Sequence, residues 1–275
     1  MPRRFRGLSR RILYLPVDAF ETISGHRRGL VPPRGLRWAG LGDYGAVGRD
    51  FRSILVERCG LARQSVVLDV GCGTGRLAVP LIDVLGSTGQ YHGFDVWLPA
   101  IRWCTRRISR RHPNFNFQHV DVRNTEYNWS GSVNPAEFRF PHPDASFDVV
   151  IAVSLYTHLL AEAAARYATE VSRVLKPGGF CLQTFFLLNS EAEGLGAEGL
   201  GSYQFRHQCG DAIVSDPERP EAAVAFREEA VRAFFESVGL EVSNPVEYGA
   251  WCGRHSYRSF QDIVIAEKAR NRVST

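Results

Sequence analysis

Residues 66–77 read Val66-Val67-Leu68-Asp69-Val70-Gly71-Cys72-Gly73-Thr74-Gly75-Arg76-Leu77. An apolar, β-branched run carries one acid, Asp69, and three glycines then follow at every second position. Leu77 opens an apolar pattern of helical period. The stretch therefore predicts a strand, a tight glycine turn and a helix, which together offer backbone N–H groups and a helix N-terminus to a ligand.

Predicted strands and helices alternate after this turn. The expected strands are 65–70, 90–94, 115–120, 147–153, 180–188, 240–246 and 261–266, and the expected helices are 38–62, 77–86, 98–113, 161–175 and 224–239. The polar segments 123–146 and 189–224 are expected to be long loops, which are often functional. This alternation predicts an α/β fold whose parallel sheet is covered on both faces and joined by right-handed crossovers.

The composition argues against a membrane-spanning protein, a secreted protein and a metal site. No apolar run reaches the ~18 residues of a membrane span, and no secretory signal pattern opens the chain. The six cysteines are scattered without zinc-site spacing, which favours reduced thiols, no metal site and a cytoplasmic location.

Residues 1–37 form a basic N-terminal arm with nine arginines and two acids. Phe5, Leu8, Ile12 and Leu15 fall on one helical face, and Pro16 is expected to stop that pattern. One interpretation is peripheral contact with an anionic membrane surface or an acidic partner. The alternative, which is favoured, is an arm that packs on its own domain or frays.

The glycine spacing argues against a dinucleotide site. A nicotinamide fingerprint reads G-x-G-x-x-G, but here the third glycine comes one residue early, at Gly75, and Arg76 occupies the fingerprint position. Asp95 lies 20 residues after Gly75 at the end of the second predicted strand. A carboxylate there can accept hydrogen bonds from both hydroxyls of a ribose.

The chain resembles the class I S-adenosylmethionine-dependent methyltransferases in Asp69-Val70-Gly71-Cys72-Gly73-Thr74-Gly75. The spacing of Asp95 and Asp121, Phe147-Asp148-Val149-Val150 and Leu175-Lys176-Pro177-Gly178-Gly179 also match that family. The resemblance covers residues 40–187 well and the C-terminal part more loosely. It implies a three-layer Rossmann-like fold in which a seven-stranded, mostly parallel sheet has the order 3-2-1-4-5-7-6, with strand seven antiparallel.

The resemblance also implies S-adenosyl-L-methionine as the cofactor. The glycine turn would pass under its methionine part, Asp69 would bind the α-amino group, Asp95 the ribose and Asp121 the adenine amino group, with the Val122 amide on the ring. The full predicted cofactor-binding set is Asp69, Gly71, Cys72, Gly73, Gly75, Asp95, Val96, Asp121, Val122 and Ser154. The methyltransferase domain is expected to span 38–268, with a tail at 269–275.

The methyl acceptor should lie beyond the carboxyl ends of strands four and five. Strand four runs into Ser154-Leu155-Tyr156-Thr157-His158, and His158 is the candidate catalytic base. A capping or core role for this histidine is the weightier alternative. The [DN]-P-P-[YF] motif of many nucleic-acid and protein amide methyltransferases is absent here, so a small or lipid-like acceptor, O-methylation and no nucleic-acid partner are expected.

Two further stretches are candidates for lining the acceptor site: Tyr203, Phe205 and His207 in the second loop, and the Tyr248–His255 turn. A third, Asp43-Tyr44, precedes the first domain helix, where members of the resembled family often cover the cofactor. Ordinary packing is the alternative for each of them. Two rival functions also remain open, a non-catalytic S-adenosylmethionine or nucleoside-binding protein and a nicotinamide-dependent reductase, and the oligomeric state is not predicted.

Overall fold

The computed structural model describes residues 6–25, 29–37 and 43–270. Phe5 of the predicted apolar face and residues 271–275 of the predicted tail lie outside these ranges. In chain order the strands are β1 Val66–Val70, β2 Gln90–Asp95, β3 Phe115–His119, β4 Phe147–Ala152, β5 Leu175–Phe185, β6 Leu187–Leu188, β7 His207–Cys209, β8 Ala212–Val214, β9 Val224–Arg227, β10 Leu240–Val242 and β11 Asp262–Lys268. The helices are α1 Arg6–Ile23, α2 Tyr44–Arg58, α3 Ala78–Leu85, α4 Leu98–Cys104, α5 Ala161–Val174, α6 Ser190–Ala197 and α7 Glu228–Ser237.

Seven strands form the main sheet in the order β10-β11-β5-β4-β1-β2-β3. The pairs β1–β4, β2–β3 and β4–β5 are parallel, whereas β11 is antiparallel to both β5 and β10. The predicted α/β fold, strand order and antiparallel strand are therefore confirmed. No helix in the described ranges is both long and apolar enough to cross a membrane.

The described residues cluster into two compact units. The first unit holds residues 1–65 and 71–132, and the second holds residues 66–70 and 133–275. The predicted division into an arm, one domain and a tail stays a prediction.

The first unit packs helices closely around the turn that follows β1. A side chain at Gly48 of α2 would place its Cβ 2.5 Å from the Arg76 carbonyl oxygen, so glycine allows α2 to approach the residues before α3. On β2 and β3, the rings of Tyr91 and Phe115 stack with centroids 5.1 Å apart.

The second unit buries an aromatic core under α7. Tyr156, Phe185 and Phe235 are almost fully buried, and the Tyr156 and Phe185 rings are 4.7 Å apart. Burial raises the pKa of the Tyr156 phenol well above its ordinary value. The structure therefore gives Tyr156 a packing role in this core.

The segment 189–224 is more ordered than the sequence predicted. It contains α6, β7 and β8, and a small second sheet has the order β6-β9-β8-β7. The predicted helix start at residue 224 is wrong because Val224–Arg227 forms β9 and α7 begins at Glu228. Three consecutive buried residues, Val224, Ala225 and Phe226, are compatible with a helix or a strand. Pairing with β6 and β8 makes this segment a strand.

Two smaller expectations about chain breaks are also corrected. The helix α1 continues through Pro16 to Ile23, although a proline was expected to end it. The far half is anchored because Asp18 accepts hydrogen bonds from the backbone of residues 34 and 35. The strand expected at 180–188 begins earlier, because residues 176–179 lie inside β5, beside a register shift against β4.

Candidate active site

The backbone amides of the glycine turn, residues 71–75, donate hydrogen bonds to nearby carbonyl groups. Gly71, Gly73 and Gly75 have φ angles of 78°, 52° and 76°, a region that favours glycine. The amides of Gly71 and Cys72 both donate to the Phe94 carbonyl, at 2.9 and 3.1 Å, and the Gly75 amide donates to the Cys72 carbonyl. These amides were expected to be available to a ligand, and that expectation is wrong because the turn uses them to shape itself.

Gly73 and Gly75 face different surroundings. A Cβ at Gly75 would lie 2.7 Å from Ile108 Cδ1 and 3.3 Å from Cys104 Sγ, so this glycine lets the turn pack against the segment after α4. A Cβ at Gly73 would meet nothing within 4 Å. The open side of the turn at Gly73 leaves room for a ligand to approach the backbone.

Asp95, the last residue of β2, is tied to this turn. Its Oδ2 accepts from the Gly73 amide and its Oδ1 from the Trp97 amide, both at 2.7 Å. Desolvation raises the pKa of this half-buried carboxyl despite the hydrogen bonds. The Val96 amide also acts on this carboxylate, and the acceptor positions that remain on its oxygens fit a ribose diol.

Asp121 follows β3 and organises its own loop. Its exposed carboxylate accepts from Ser132 Oγ at 2.7 Å, the Ser132 amide at 3.2 Å and Asn128 Nδ2 at 3.2 Å. These hydrogen bonds lower its pKa. Val122 is buried beside it, and the Val96 carbonyl contacts His119 Nε2 at 3.1 Å. The adenine contact of Asp121 and the roles of Val96 and Val122 stay predictions.

The start of α2 contacts the glycine turn. Asp43 caps the helix by accepting from the Ala46 amide at 2.6 Å. The Tyr44 hydroxyl donates to the Thr74 carbonyl at 2.9 Å, and burial raises the pKa of this phenol well above its ordinary value. The stretch proposed from sequence to cover the cofactor therefore contacts the turn directly.

In the second unit, Ser154 follows β4 in a left-handed backbone conformation, with φ 58°. Such strain in a residue other than glycine is uncommon and concentrates at functional sites. The Ser154 amide donates to Thr184 Oγ1 at 2.7 Å. Gln261 Oε1 accepts from both hydroxyls, at 3.1 Å from Ser154 and 2.7 Å from Thr184. Asp69, in the same unit, is only 2% exposed within β1.

Thr184 and Gln261 are site candidates that the sequence analysis missed. They lie 30 and 107 residues beyond Ser154, on different strands or their flanks, so no local spacing links them. Only the pairing of β5 with β11 brings them together.

His158 sits in a short 3-10 turn, Tyr156–His158. Its Nδ1 is 2.8 Å from the Glu221 carbonyl oxygen. Because a carbonyl only accepts, Nδ1 carries the proton, and a neutral imidazole then has its lone pair on Nε2. This tautomer suits a base, while the role itself stays a prediction.

Tyr203 and Phe205 join an aromatic cluster. The Tyr203 ring lies 5.0 Å from Phe186, and the Phe205 ring lies 5.4 Å from Trp251. His207 lies on β7 and is exposed. The predicted common face of these three residues is thus limited to the two aromatic rings.

The Tyr248–His255 turn is fastened by Asp262. The Asp262 carboxylate is fully buried and accepts from the amides of Leu187 and Gly249 and from Trp251 Nε1, each at 2.7 Å. Arg254 Nη1 is the fourth donor, at 3.2 Å. Desolvation raises the Asp262 pKa to about 6. With all four acceptor positions filled, this carboxylate holds the fold.

The predicted residues divide between the two units. Gly71, Cys72, Gly73, Gly75, Asp95, Val96, Asp121 and Val122 lie in the first unit, and Asp69, Ser154 and His158 lie in the second. Hydrogen bonds connect the glycine turn with Asp95, and Ser154 with Thr184 and Gln261.

Comparison with known proteins identifies the domain. A family model described as a methyltransferase domain matches residues 67–179. The phthiotriol/phenolphthiotriol dimycocerosates methyltransferase 1 of Mycobacterium ulcerans is 32% identical over 139 residues, which are 50% of this chain and 43% of that protein. The ubiquinone/menaquinone biosynthesis C-methyltransferase UbiE of Pseudomonas putida is 29% identical over 175 residues, which are 63% of this chain and 62% of that protein. The chain thus spans less than two thirds of these relatives' lengths.

Solved structures agree on the fold. The PH0226 protein of Pyrococcus horikoshii superposes with a TM-score of 0.56 at 18% identity, covering 83% of this chain and 92% of that one. The matched family segment contains the glycine turn, Asp95 and Asp121, and the open side of the turn at Gly73 leaves room for a ligand. Residues 67–179 therefore form a methyltransferase domain of the class I S-adenosylmethionine-dependent type, and the cofactor of this domain is S-adenosylmethionine.

Proposed function

We propose that the chain transfers a methyl group from S-adenosylmethionine to an oxygen atom of a lipid-like acceptor. The observation that carries the chemistry is the contact of His158 Nδ1 with the Glu221 carbonyl, which sets the tautomer that a base needs. The names of the Mycobacterium ulcerans and Pseudomonas putida relatives, which concern dimycocerosates and quinones, support a lipid-like acceptor.

The cofactor would be held by the residues predicted for it. The turn at Gly71, Cys72, Gly73 and Gly75 would pass under the methionine part, Asp69 would bind its amino group, and Asp95 would use its unfilled acceptor positions for the ribose. Asp121 and Val122 would contact the adenine, and Val96 and Ser154 would complete the lining. When bound, the cofactor supplies an electrophilic methyl carbon on a sulfonium.

The protein's part in the transfer is to align the acceptor and remove its proton. Nε2 of His158 would accept the proton of the acceptor hydroxyl, while bound S-adenosylmethionine would supply the methyl group and leave as S-adenosylhomocysteine. The hydroxyls of Ser154 and Thr184, fixed by Gln261, would orient a polar acceptor group.

The test is an incubation of the purified protein with methyl-labelled S-adenosylmethionine and a total lipid extract. We expect label in the organic fraction, and NMR of the product will show a methoxy carbon. A methyl group bonded to carbon would contradict O-methylation. The name of the Pseudomonas putida C-methyltransferase describes that outcome for the relative. Binding of S-adenosylhomocysteine without transfer to any fraction would favour a non-catalytic binding protein.

The base assignment has its own test with a matched control. We expect His158→Ala to lower the transfer rate roughly 10²- to 10⁴-fold while the affinity for S-adenosylhomocysteine is unchanged. Thr169→Ala removes an exposed polar side chain of α5 from the same unit and should leave the rate unaltered. An unaffected rate in His158→Ala would make His158 a structural residue.

A further inference from the structure

The helix α1 turns its polar face toward its own unit. The Asp18 carboxylate accepts from the amides of Arg34 and Gly35, at 2.6 and 3.0 Å. Glu21 accepts from Arg34 Nε at 2.6 Å, and Arg10 Nη2 donates to the Arg37 carbonyl at 2.9 Å. The acids of the described arm are therefore both used to hold the short turn that follows α1.

The opposite face of α1 is apolar and exposed. Ile12 is 62% exposed, Leu13 72%, Phe20 62% and Ile23 88%. At about 3.6 residues per turn, Ile12 and Ile23 lie on one side, away from Asp18. An amphipathic helix normally buries such a face in its own core. Here the arrangement is reversed, so the apolar face is available to an environment outside the domain.

A basic groove lies beside this helix, still within the first unit. It encloses a cavity of about 410 Å³ that is lined by Arg11 of α1, by Arg102, Arg106 and Arg107, and by five apolar residues that include Trp103. No acidic side chain lines it. Within the described ranges, none of these four guanidinium groups makes a hydrogen bond or an ion pair with a side chain or a carbonyl. Residues 98–111 hold five arginines and no acid.

We propose that the outward face of α1 and the arginine groove dock the protein on an anionic membrane surface. The face of Ile12 and Ile23 lies at the boundary of headgroups and acyl chains, where burying apolar surface is favourable. The groove takes acidic lipid headgroups, because guanidinium groups bind phosphate through paired, charge-assisted hydrogen bonds.

Charge complementarity selects this occupant over the others. A nucleic acid would satisfy the arginines but would leave the exposed isoleucines and leucines in water. A second copy of the chain would bring a second set of arginines of the same sign to the interface. An anionic lipid surface is the one environment that satisfies the apolar face and the basic groove together. This inference does not rest on the chemical nature of the methyl acceptor.

The test is co-sedimentation of the full chain with vesicles of phosphatidylcholine containing one-third phosphatidylglycerol, compared with vesicles of phosphatidylcholine alone. We expect binding to the anionic vesicles that is at least about tenfold stronger and that weakens in high salt. Ile12→Glu with Ile23→Glu, and separately Arg106→Glu with Arg107→Glu, should each weaken it about tenfold or more.

Two control variants match these changes in the same unit. Val56→Glu alters an exposed apolar residue of α2, and Arg52→Glu reverses an exposed charge of that helix, and both should bind like the unaltered chain. Circular dichroism verifies that every variant is folded. Equal binding to both vesicle types, no sedimentation at all, retention by RNA without vesicle binding, or a dimer that Ile12→Glu dissociates would each overturn the proposal.

Discussion

Asp95 and Asp262 are two carboxylates at strand ends whose pKa values are both raised by burial, yet they do different work. Asp95 accepts from the Gly73 amide on one oxygen and the Trp97 amide on the other, the Val96 amide also acts on it, and no cation is bonded to it among the described residues. Asp262 has two donors on each oxygen, one of them the guanidinium of Arg254. The number of unfilled acceptor positions therefore distinguishes a carboxylate that can bind a ligand from one that holds the fold.

The largest expected effect is the loss of stability when the Asp262 carboxylate is removed. We expect Asp262→Ala to lower the free energy of unfolding by about 3–5 kcal/mol, because it leaves Arg254 buried opposite an empty position and three N–H donors unpaired. Urea denaturation measures this change. A loss below about 1 kcal/mol would show that Asp262 is not the hub of the Tyr248–His255 turn.

The pH dependence of stability tests the same residue. The folded Asp262 pKa of about 6 exceeds its ordinary value of 3.8, so the folded state binds the proton more tightly. The contribution of this group to stability is therefore present at low pH and is lost as the pH rises from about 4 to about 6, by up to about 3 kcal/mol.

Comparison with a variant that lacks the carboxyl separates the contribution of Asp262 to stability from that of the other titrating groups. Asp262→Asn cannot ionise, so the difference in unfolding free energy between the unaltered chain and this variant should fall across that window. Parallel curves from pH 4 to pH 6 would contradict the raised pKa.

The Asp95 carboxylate should matter more for cofactor binding than for folding. We expect Asp95→Ala to weaken S-adenosylhomocysteine binding by about 2 kcal/mol, or roughly 30-fold, since hydrogen bonds to a charged group are lost. Isothermal titration measures the affinity. Asp83→Ala, an exposed acid on α3, is the matched control and should bind normally. Unchanged affinity in Asp95→Ala would remove Asp95 from the ribose site.

The smallest effect separates two neighbouring glycines in the turn. Both Gly73→Ala and Gly75→Ala place a side chain at positive φ, but only the second meets buried Ile108. We expect Gly75→Ala to be the less stable variant by about 1 kcal/mol. Gly73→Ala should instead weaken cofactor binding, because its Cβ occupies the open side of the turn. Thermal unfolding and titration of both variants check this reversal.

The first unit was largely predictable because its signals are local. The strand, the glycine turn and Asp95 lie within 30 residues of sequence, and the period of apolar residues identified the elements around them. The sheet order followed from the resemblance rather than from any residue pattern. The self-bonded amides of Gly71 and Cys72 were not predictable, since their acceptor, Phe94, is 23 residues away on another strand.

The second unit was harder because its contacts join distant segments. Ser154, Thr184 and Gln261 meet only after β5 and β11 pair, and Asp262 joins the amide of Leu187 to three donors of the Tyr248–His255 turn. The small sheet of β6 to β9 was missed because short strands in a Gly- and Glu-rich segment carry weak periodic signals.

The closed backbone of the glycine turn has a kinetic consequence. Because Phe94 and Asp95 already hold the amides of Gly71, Cys72 and Gly73, the turn is preorganised and spends little conformational entropy when a ligand arrives. Association should then be a single fast phase without a concentration-independent step. We expect the turn to keep these hydrogen bonds when the product leaves, so that each turnover begins from the same backbone conformation.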